Sequence, residues 1–103
     1  MRTYRLSDDA DNDLKAIARY TLQQWGEDQT IRYMHSLDQI FSTLTDRPPT
    51  ARQFSLRFPQ VLVIRCNRHY AFYVPPENEI PLIIAVLHER MNFIARLQDR
   101  LGE

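Results

Sequence analysis

Residues 61–74 read VLVIRCNRHYAFYV, and this stretch decides the fold class. Two runs rich in β-branched and aromatic residues, Val61–Cys66 and His69–Val74, flank the dipeptide Asn67-Arg68. Runs separated in this way are typical of a β-hairpin, because a two-residue turn joins antiparallel strands. The later run Ile80–Leu87 is almost continuously apolar, as expected of a central strand that is covered on both faces. The sequence therefore predicts a sheet in the second half of the chain.

Two amphipathic helices are predicted before this sheet. Ser7 is a suitable N-cap, and apolar residues at helical spacing follow it as far as Trp25. Gly26 ends this helix, and a second apolar stripe runs from there to Leu44. Asp46–Pro49 ends the second helix, because proline and the residue before it both resist the helical conformation. Two helices joined by so short a turn predict an antiparallel helical hairpin.

The remaining segments complete the predicted order of elements. Residues 2–6 alternate in polarity and predict a short first strand, whereas residues 50–60 are expected to be irregular, with Pro59 as a breaker. Pro75–Asn78 predicts a turn, and Met91–Leu101 predicts a short final helix. The order is β-α-α-β-β-β-α. This is an α+β pattern, in which the helical hairpin packs on one face of a small, mainly antiparallel sheet.

Length and composition limit the class of protein. The chain has 103 residues, so residues 1–103 are expected to form a single domain. Cys66 is the only cysteine, and an internal disulfide is therefore excluded. The N-terminus lacks the apolar segment of a signal peptide, and the run Ile80–Leu87 is far shorter than the roughly 20 residues that span a bilayer. A cytoplasmic location is expected.

Charge is unevenly distributed along the chain although the net charge is zero. Residues 1–46 carry five Lys or Arg against eight Asp or Glu, and residues 47–103 carry eight against five. Twelve of the thirteen basic residues are Arg, which suits bidentate contacts. Two explanations fit this composition equally well: lineage bias, and an acidic partner that binds the second half of the chain. Bulk electrostatic binding to nucleic acid is disfavoured, since it needs a net basic footprint.

Residues 87–92 read LHERMN, one substitution away from the zinc-protease pattern H-E-x-x-H. Asn92 stands where the second histidine would be, and the residues before His88 predict a strand where the pattern needs a helix. A metal site is therefore not expected. A Cys66–His69 nucleophile pair is also disfavoured, because a small cysteine in a strand is usually buried and inert. With only two glycines in the chain, a phosphate-binding glycine-rich loop is effectively excluded.

Polar residues within the predicted strands are the remaining candidates for chemistry. If they share one sheet face, a cluster of this kind is able to bind a phosphodiester or to act as acid and base. The competing explanation is a solvated sheet face, with some of these groups partly buried and hydrogen bonded. The candidates are Arg65, His69, Tyr73 and His88, with Arg52 and Arg57 in the segment before them.

The ordered set of motifs resembles the ParE toxins of the RelE/ParE toxin–antitoxin superfamily, over nearly the whole length. LHERMN resembles the Leu-His-x-Arg-Met-Asp type sequence with which such chains end their last strand, so its likeness to a zinc motif is accidental. Two departures are Asn92 for Asp and Ala51 for the usual Gly. The other matching stretches are YRLSDDADNDLKAIARYTLQQWG (4–26), Pro49-Thr50-Ala51-Arg52, Leu56-Arg57 and Arg65-x-x-x-His69-x-x-x-Tyr73.

This resemblance implies a function. ParE-type toxins inhibit DNA gyrase by trapping its cleavage complex, are not enzymes, need no cofactor, and are neutralised by a ParD-like antitoxin. An amphipathic antitoxin segment is expected to lie in a groove between the helical hairpin and the sheet. The alternative is a RelE-like, ribosome-dependent mRNA endonuclease, which the zero net charge disfavours. A further alternative is an inactive module that only binds a partner.

Two sets of contact residues are predicted within this framework. The candidates for toxic contact with the target are Arg65, His69, Arg90, Met91 and Arg96. The weaker candidates for antitoxin contact, for which core packing is the competing explanation, are Tyr20, Leu22, Trp25 and Phe41.

Overall fold

A computed structural model describes residues 4–46, 48, 50–75 and 80–102. It contains three helices and a five-stranded sheet, which confirms the predicted α+β class. A short 3₁₀ turn, Leu44–Asp46, follows the second helix. The elements are β1 (Arg5–Leu6), α1 (Asp8–Trp25), α2 (Glu27–Phe41), β2 (Arg52–Ser55), β3 (Phe58–Cys66), β4 (His69–Val74), β5 (Leu82–His88) and α3 (Phe93–Leu101).

The sheet has the strand order β1-β5-β4-β3-β2. All neighbouring strands are antiparallel except β1 and β5, which run parallel. The β3–β4 hairpin turns at Asn67 and Arg68 as predicted, and Asn67 takes the positive φ of 59° that such turns need. The central strand β5 lies between β1 and β4, as its apolar sequence predicts.

The helix ends follow from their capping residues. The Ser7 hydroxyl accepts a hydrogen bond from the Ala10 backbone N–H at 3.1 Å, which satisfies one free donor of α1. Gly26 alone joins α1 to α2, with φ 86° and ψ 179°. This conformation is almost restricted to glycine, because a Cβ is strained at such angles. Asn92 caps α3 by accepting from the Ala95 N–H at 3.1 Å, so α3 begins two residues later than the predicted Met91.

The sheet is covered on both faces by separate apolar clusters. The helical hairpin covers one face, where Leu37 and Phe41 pack with strand residues such as Tyr73. Helix α3 covers the other face, where Leu97 packs with residues such as Phe72. Each strand therefore presents alternate side chains to two different helical layers.

The prediction of irregular structure over residues 50–60 is wrong. Arg52–Ser55 forms the edge strand β2, and β3 begins at Phe58, ahead of Pro59. The proline is tolerated because β2 and β3 change register there, so that residues 59–61 lie opposite Phe54 alone. Two other predictions, the first strand over residues 2–6 and the turn Pro75–Asn78, fall partly outside the described residues.

An ion pair connects helices on opposite faces of the sheet. Arg100 of α3 donates to both carboxylate oxygens of Asp13 of α1, at 2.6 and 2.7 Å. Asp13 also accepts from the Val86 backbone N–H at 2.9 Å, and Arg100 donates to the Ile84 carbonyl at 3.2 Å. The side chains are only 15% and 16% exposed. The pair thus satisfies backbone groups of β5 beyond the point where the two-residue strand β1 ends.

Candidate functional site

A groove of about 790 Å³ lies between the helical hairpin and the end of the sheet. Its volume is typical of pockets that hold a ligand or a partner segment. Its apolar wall consists of Ala16, Ile17, Tyr20, Trp25, Val86 and Met91. Its polar lining consists of Asp13, Thr21, Gln29, Tyr33, Arg68, His69, His88 and Arg90. We refer to this cavity as the helix–sheet groove.

Two histidines from adjacent strands form the floor of the helix–sheet groove. His69 of β4 and His88 of β5 are register partners, and their rings are 5.3 Å apart, centroid to centroid. The Tyr33 hydroxyl of α2 lies 2.6 Å from His69 Nδ1. Burial, together with the neighbouring His88, lowers the pKa of His69 to about 4, and burial raises the pKa of Tyr33. Both side chains are therefore neutral at pH 7.

The segment LHERMN forms the rim of the groove where β5 ends. His88 is the last residue of the strand, and its ring Nδ1 accepts a hydrogen bond from the Arg90 backbone N–H at 3.2 Å. The Met91 N–H donates to the His88 carbonyl at 2.9 Å, which closes the turn before α3. This confirms that the segment joins the last strand to the last helix. It does not have the helical geometry on which the zinc pattern depends.

Of the polar strand residues considered as a cluster, Arg65 does not share a sheet face with the others. Arg65 lies opposite Tyr70 on the α3 face, whereas His69 lies opposite Cys66 on the face of the helical hairpin. Arg65 forms an ion pair with Glu89 at 3.2 Å and lies 5.7 Å from the centre of the Tyr70 ring. Arg65 and His69 therefore do not face one common site. Successive residues of a strand face opposite sides, so Arg65 faces away from Cys66 and from its register partner His69.

The remaining groups with potential reactivity are buried. Tyr73 is fully buried within the sheet. Cys66 is also fully buried, and burial raises the pKa of its thiol to about 12, which opposes formation of the nucleophilic thiolate. Among residues 4–46, 48, 50–75 and 80–102, no group of three or more His, Cys, Asp or Glu side chains is placed to hold a metal ion.

The predicted target contacts divide between two surfaces. His69, Arg90 and Met91 line the helix–sheet groove. Arg65 and Arg96 lie outside it, and both are exposed. Arg96 belongs to α3, which packs on the opposite face of the sheet.

The predicted antitoxin contacts are also divided. Tyr20 and Trp25 line the groove and are 62% and 69% exposed, which is unusual for large aromatic side chains. Leu22 is exposed but does not line the groove. Phe41 is only 1% exposed and packs in the core, so it is not available for contact with another protein.

Tyr33 and Arg68 are among the groove residues that the sequence does not predict as contacts. Tyr33 belongs to α2, and its hydroxyl reaches His69 across 36 positions of sequence. Arg68 was treated only as a turn residue, and it lines the groove beside His69. The sequence feature that indicates a role for Arg68 is its position in a two-residue β-turn, because such a turn places its side chains at the end of the sheet.

Two sequence comparisons identify relatives of this chain. The profile of the family described as "ParE toxin of type II toxin-antitoxin system, parDE" matches residues 4–93. The Escherichia coli protein named Toxin ParE is 40% identical over 101 residues, which cover 98% of each chain. None of the described helices is both long and apolar enough to cross a membrane.

A solved structure shares the fold. It is described as the chromosomal ParDE TA system from P. aeruginosa, and it matches with a TM-score of 0.67 over 85% of this chain and 96% of that one. Its identity of 13% supports the fold alone. The family match over residues 4–93 and the 40% identical relative show more: this chain belongs to the ParE toxins of type II parDE toxin–antitoxin systems.

Proposed function

We propose that this toxin binds DNA gyrase, traps its cleavage complex, and is neutralised by a ParD-type antitoxin that occupies the helix–sheet groove. Membership of the ParE family supports the target and the type of partner. One structural observation supports the mode of neutralisation: the groove brings together residues from both predicted contact sets. Arg90 and Met91 from the target set lie with Tyr20 and Trp25 from the antitoxin set. An antitoxin segment in this groove would cover part of the toxic surface directly.

The walls of the groove suit a peptide segment. Tyr20 and Trp25 project from α1 and remain largely exposed. Tyr and Trp are enriched among the few residues that supply most of the binding energy of protein interfaces. An amphipathic segment that places its apolar side against α1 and its polar side toward His69 and Arg90 would match both linings.

The arrangement favours binding over catalysis. His69 is neutral and hydrogen bonded to Tyr33, so its ring is held by the protein. Arg65, the cation considered together with His69, lies on the other face of the sheet and pairs with Glu89, so a catalytic role would fall to Arg68 or Arg90 of the groove lining. A phosphodiesterase needs an acid, a base and a cation around one phosphate. We therefore keep the proposal of a non-enzymatic toxin, with ribosome-dependent mRNA cleavage as the outcome to be tested if gyrase is unaffected.

A DNA-cleavage assay tests the target. Purified toxin is incubated with DNA gyrase, ATP and supercoiled plasmid, the reaction is stopped with detergent, and linear DNA is quantified. We expect linear DNA to accumulate with the wild type, and Arg90→Ala to reduce it at least severalfold without loss of helical CD signal. Arg19→Ala is the matched control, because Arg19 is an exposed arginine of α1 outside the groove lining.

Each outcome has a distinct meaning. If the folded wild type produces no linear DNA, gyrase is not the target, and cleavage of mRNA on ribosomes is measured next. If Arg90→Ala traps as much DNA as the wild type, the assignment of Arg90 to the toxic contact is wrong. Size-exclusion chromatography with the antitoxin of the same operon tests neutralisation, and the absence of a complex contradicts the proposed role of the groove.

A further inference from the structure

Both histidines of the helix–sheet groove have their ring Nδ1 in a hydrogen bond. In His88, Nδ1 accepts a hydrogen bond from the Arg90 backbone N–H, so a ring proton is on Nε2. In His69, Nδ1 faces the Tyr33 hydroxyl at 2.6 Å, and we assign the hydroxyl as the donor because its oxygen already accepts a hydrogen bond from the Arg68 backbone N–H. Each ring therefore carries an N–H at Nε2.

Two arginines lie beside these rings. Arg68 is in the β3–β4 turn and Arg90 follows β5, and the two turns are connected by a hydrogen bond from the Glu89 N–H to the Arg68 carbonyl at 3.0 Å. Both side chains are exposed and line the groove. We call four side chains the donor cluster: Arg68, His69, His88 and Arg90.

The nearby acids form their ion pairs with arginines outside the donor cluster. Asp13 is the acidic residue of the groove lining, and both of its oxygens are bound by Arg100. Glu89 is adjacent in sequence but pairs with Arg65 on the opposite face. Within the described part of the chain, neither Arg68 nor Arg90 forms an ion pair. The two guanidinium groups are therefore available to bind an anion of another molecule.

The groove favours a protein carboxylate over a nucleic-acid phosphate. The donor cluster is continuous with an apolar wall that includes Tyr20, Trp25 and Met91, and such a wall suits a folded peptide segment. The chain as a whole has no net charge, whereas binding along a phosphate backbone needs a net basic surface. The chemistry of the occupant is thus apolar on one side and acidic at one end.

We propose that the donor cluster binds an Asp or Glu side chain of the neutralising segment of the antitoxin. The inference rests on the proposed docking of the antitoxin in the helix–sheet groove and specifies the chemistry of one contact there. The guanidinium groups supply charge-assisted hydrogen bonds to the carboxylate, and the two imidazoles supply further N–H donors. The apolar wall then fixes which residues of the segment flank that acid.

Binding of the antitoxin of the same operon, measured by isothermal titration calorimetry, provides the test. Arg68→Ala and Arg90→Ala are each expected to weaken binding by about tenfold or more, as loss of a charge-assisted hydrogen bond does. Arg19→Ala is the control and is expected to bind like the wild type. Circular dichroism of each variant confirms that the fold is retained.

A charge exchange identifies the contact itself. Arg90→Glu of the toxin is combined with a set of antitoxin variants, in each of which one acidic residue is replaced by Lys. Restored binding for one acid-to-Lys variant supports the carboxylate contact. If none restores binding, or if both alanine variants bind like the wild type, the carboxylate subsite is refuted, although antitoxin docking stands.

The failure of the proposed function has a different signature, because the wild-type toxin then gives no complex with the antitoxin at all. A third result also overturns the inference. If a short duplex oligonucleotide binds the free toxin and Arg90→Glu abolishes that binding, the donor cluster recognises phosphate.

Discussion

The buried ion pair between Asp13 and Arg100 gives the sharpest test of what holds the fold together. Replacement of Arg100 by Ala removes two hydrogen bonds to Asp13 and one to the Ile84 carbonyl. The Asp13 side chain is only 15% exposed in the intact protein, and the substitution leaves the Val86 N–H as its remaining hydrogen-bond donor. An ionised group in this position loses most of its hydration and has no counterion. We expect Arg100→Ala to be strongly destabilising.

The magnitude follows from the burial of the pair. Removal of one partner from a buried ion pair costs about 3–5 kcal/mol, and the residual exposure of both side chains argues for the lower end, about 3 kcal/mol. A domain of this size has about 5–15 kcal/mol of stability, so the variant should remain folded in water. With a urea m-value of about 1.5 kcal/mol/M, the midpoint of unfolding should fall by about 2 M.

Urea unfolding followed by far-UV circular dichroism measures this change. Arg96→Ala is the matched control, since Arg96 is an exposed arginine of the same helix and its loss should change stability by less than about 0.5 kcal/mol. The double variant Asp13→Asn/Arg100→Met removes both charges and should recover more than half of the loss. If Arg100→Ala is no less stable than Arg96→Ala, the ion pair does not stabilise the fold and this reasoning is refuted.

Three further predictions concern single side chains. Asn92→Ala should lower stability by about 1 kcal/mol through loss of the α3 cap, and Asn92→Asp should not; thermal unfolding separates the two variants, and equal melting temperatures for Ala and wild type would exclude a capping role. Cys66 should react with Ellman's reagent at pH 8 at least a hundredfold more slowly in the native protein than in denaturant, because burial raises the pKa of its thiol to about 12; complete reaction of native protein within a minute contradicts the buried position. His69, whose pKa burial lowers to about 4, should remain neutral in an NMR titration from pH 8 to pH 5. Between about pH 6.5 and pH 4 the unfolded chain binds this proton and the folded chain does not, so the free energy of unfolding should fall as pH falls. The slope should be at most about 1.4 kcal/mol per pH unit, and less for a partly exposed ring. His69→Gln should flatten this slope, and an unchanged slope would show that other groups cause it.

The helices and the central hairpin were predictable because their signals are local. Ser7 caps α1 and Gly26 ends it, and each acts on the backbone within a few residues of its own position, so sequence alone places both boundaries. Strand β2 was missed because Pro59 was treated as a breaker. Its tolerance depends on the changed register opposite Phe54, and register is a property of two strands together.

The site was less predictable because its contacts are distant in sequence. His69 and Arg65 are four residues apart, but the turn between them reverses the chain and places them on opposite faces. Tyr33 meets His69 only after the helical hairpin has packed on the sheet. In the sequence Asp13 is one of the eight acidic residues of the first half, whereas in the structure it pairs with Arg100 across 87 positions. Composition gives the number of charges but not their partners.

The single-residue junction at Gly26 has a consequence for how this surface diversifies. In an α-helix each residue advances the side chains by about 100°, so one inserted residue near the start of α2 would turn Tyr33 away from His69 unless the junction absorbed it. A junction of one residue, with a backbone conformation almost restricted to glycine, cannot accommodate the inserted residue. Descendants of this sequence should therefore acquire new partner preferences through substitutions along α1 and α2, while the length from Asp8 to Phe41 stays fixed.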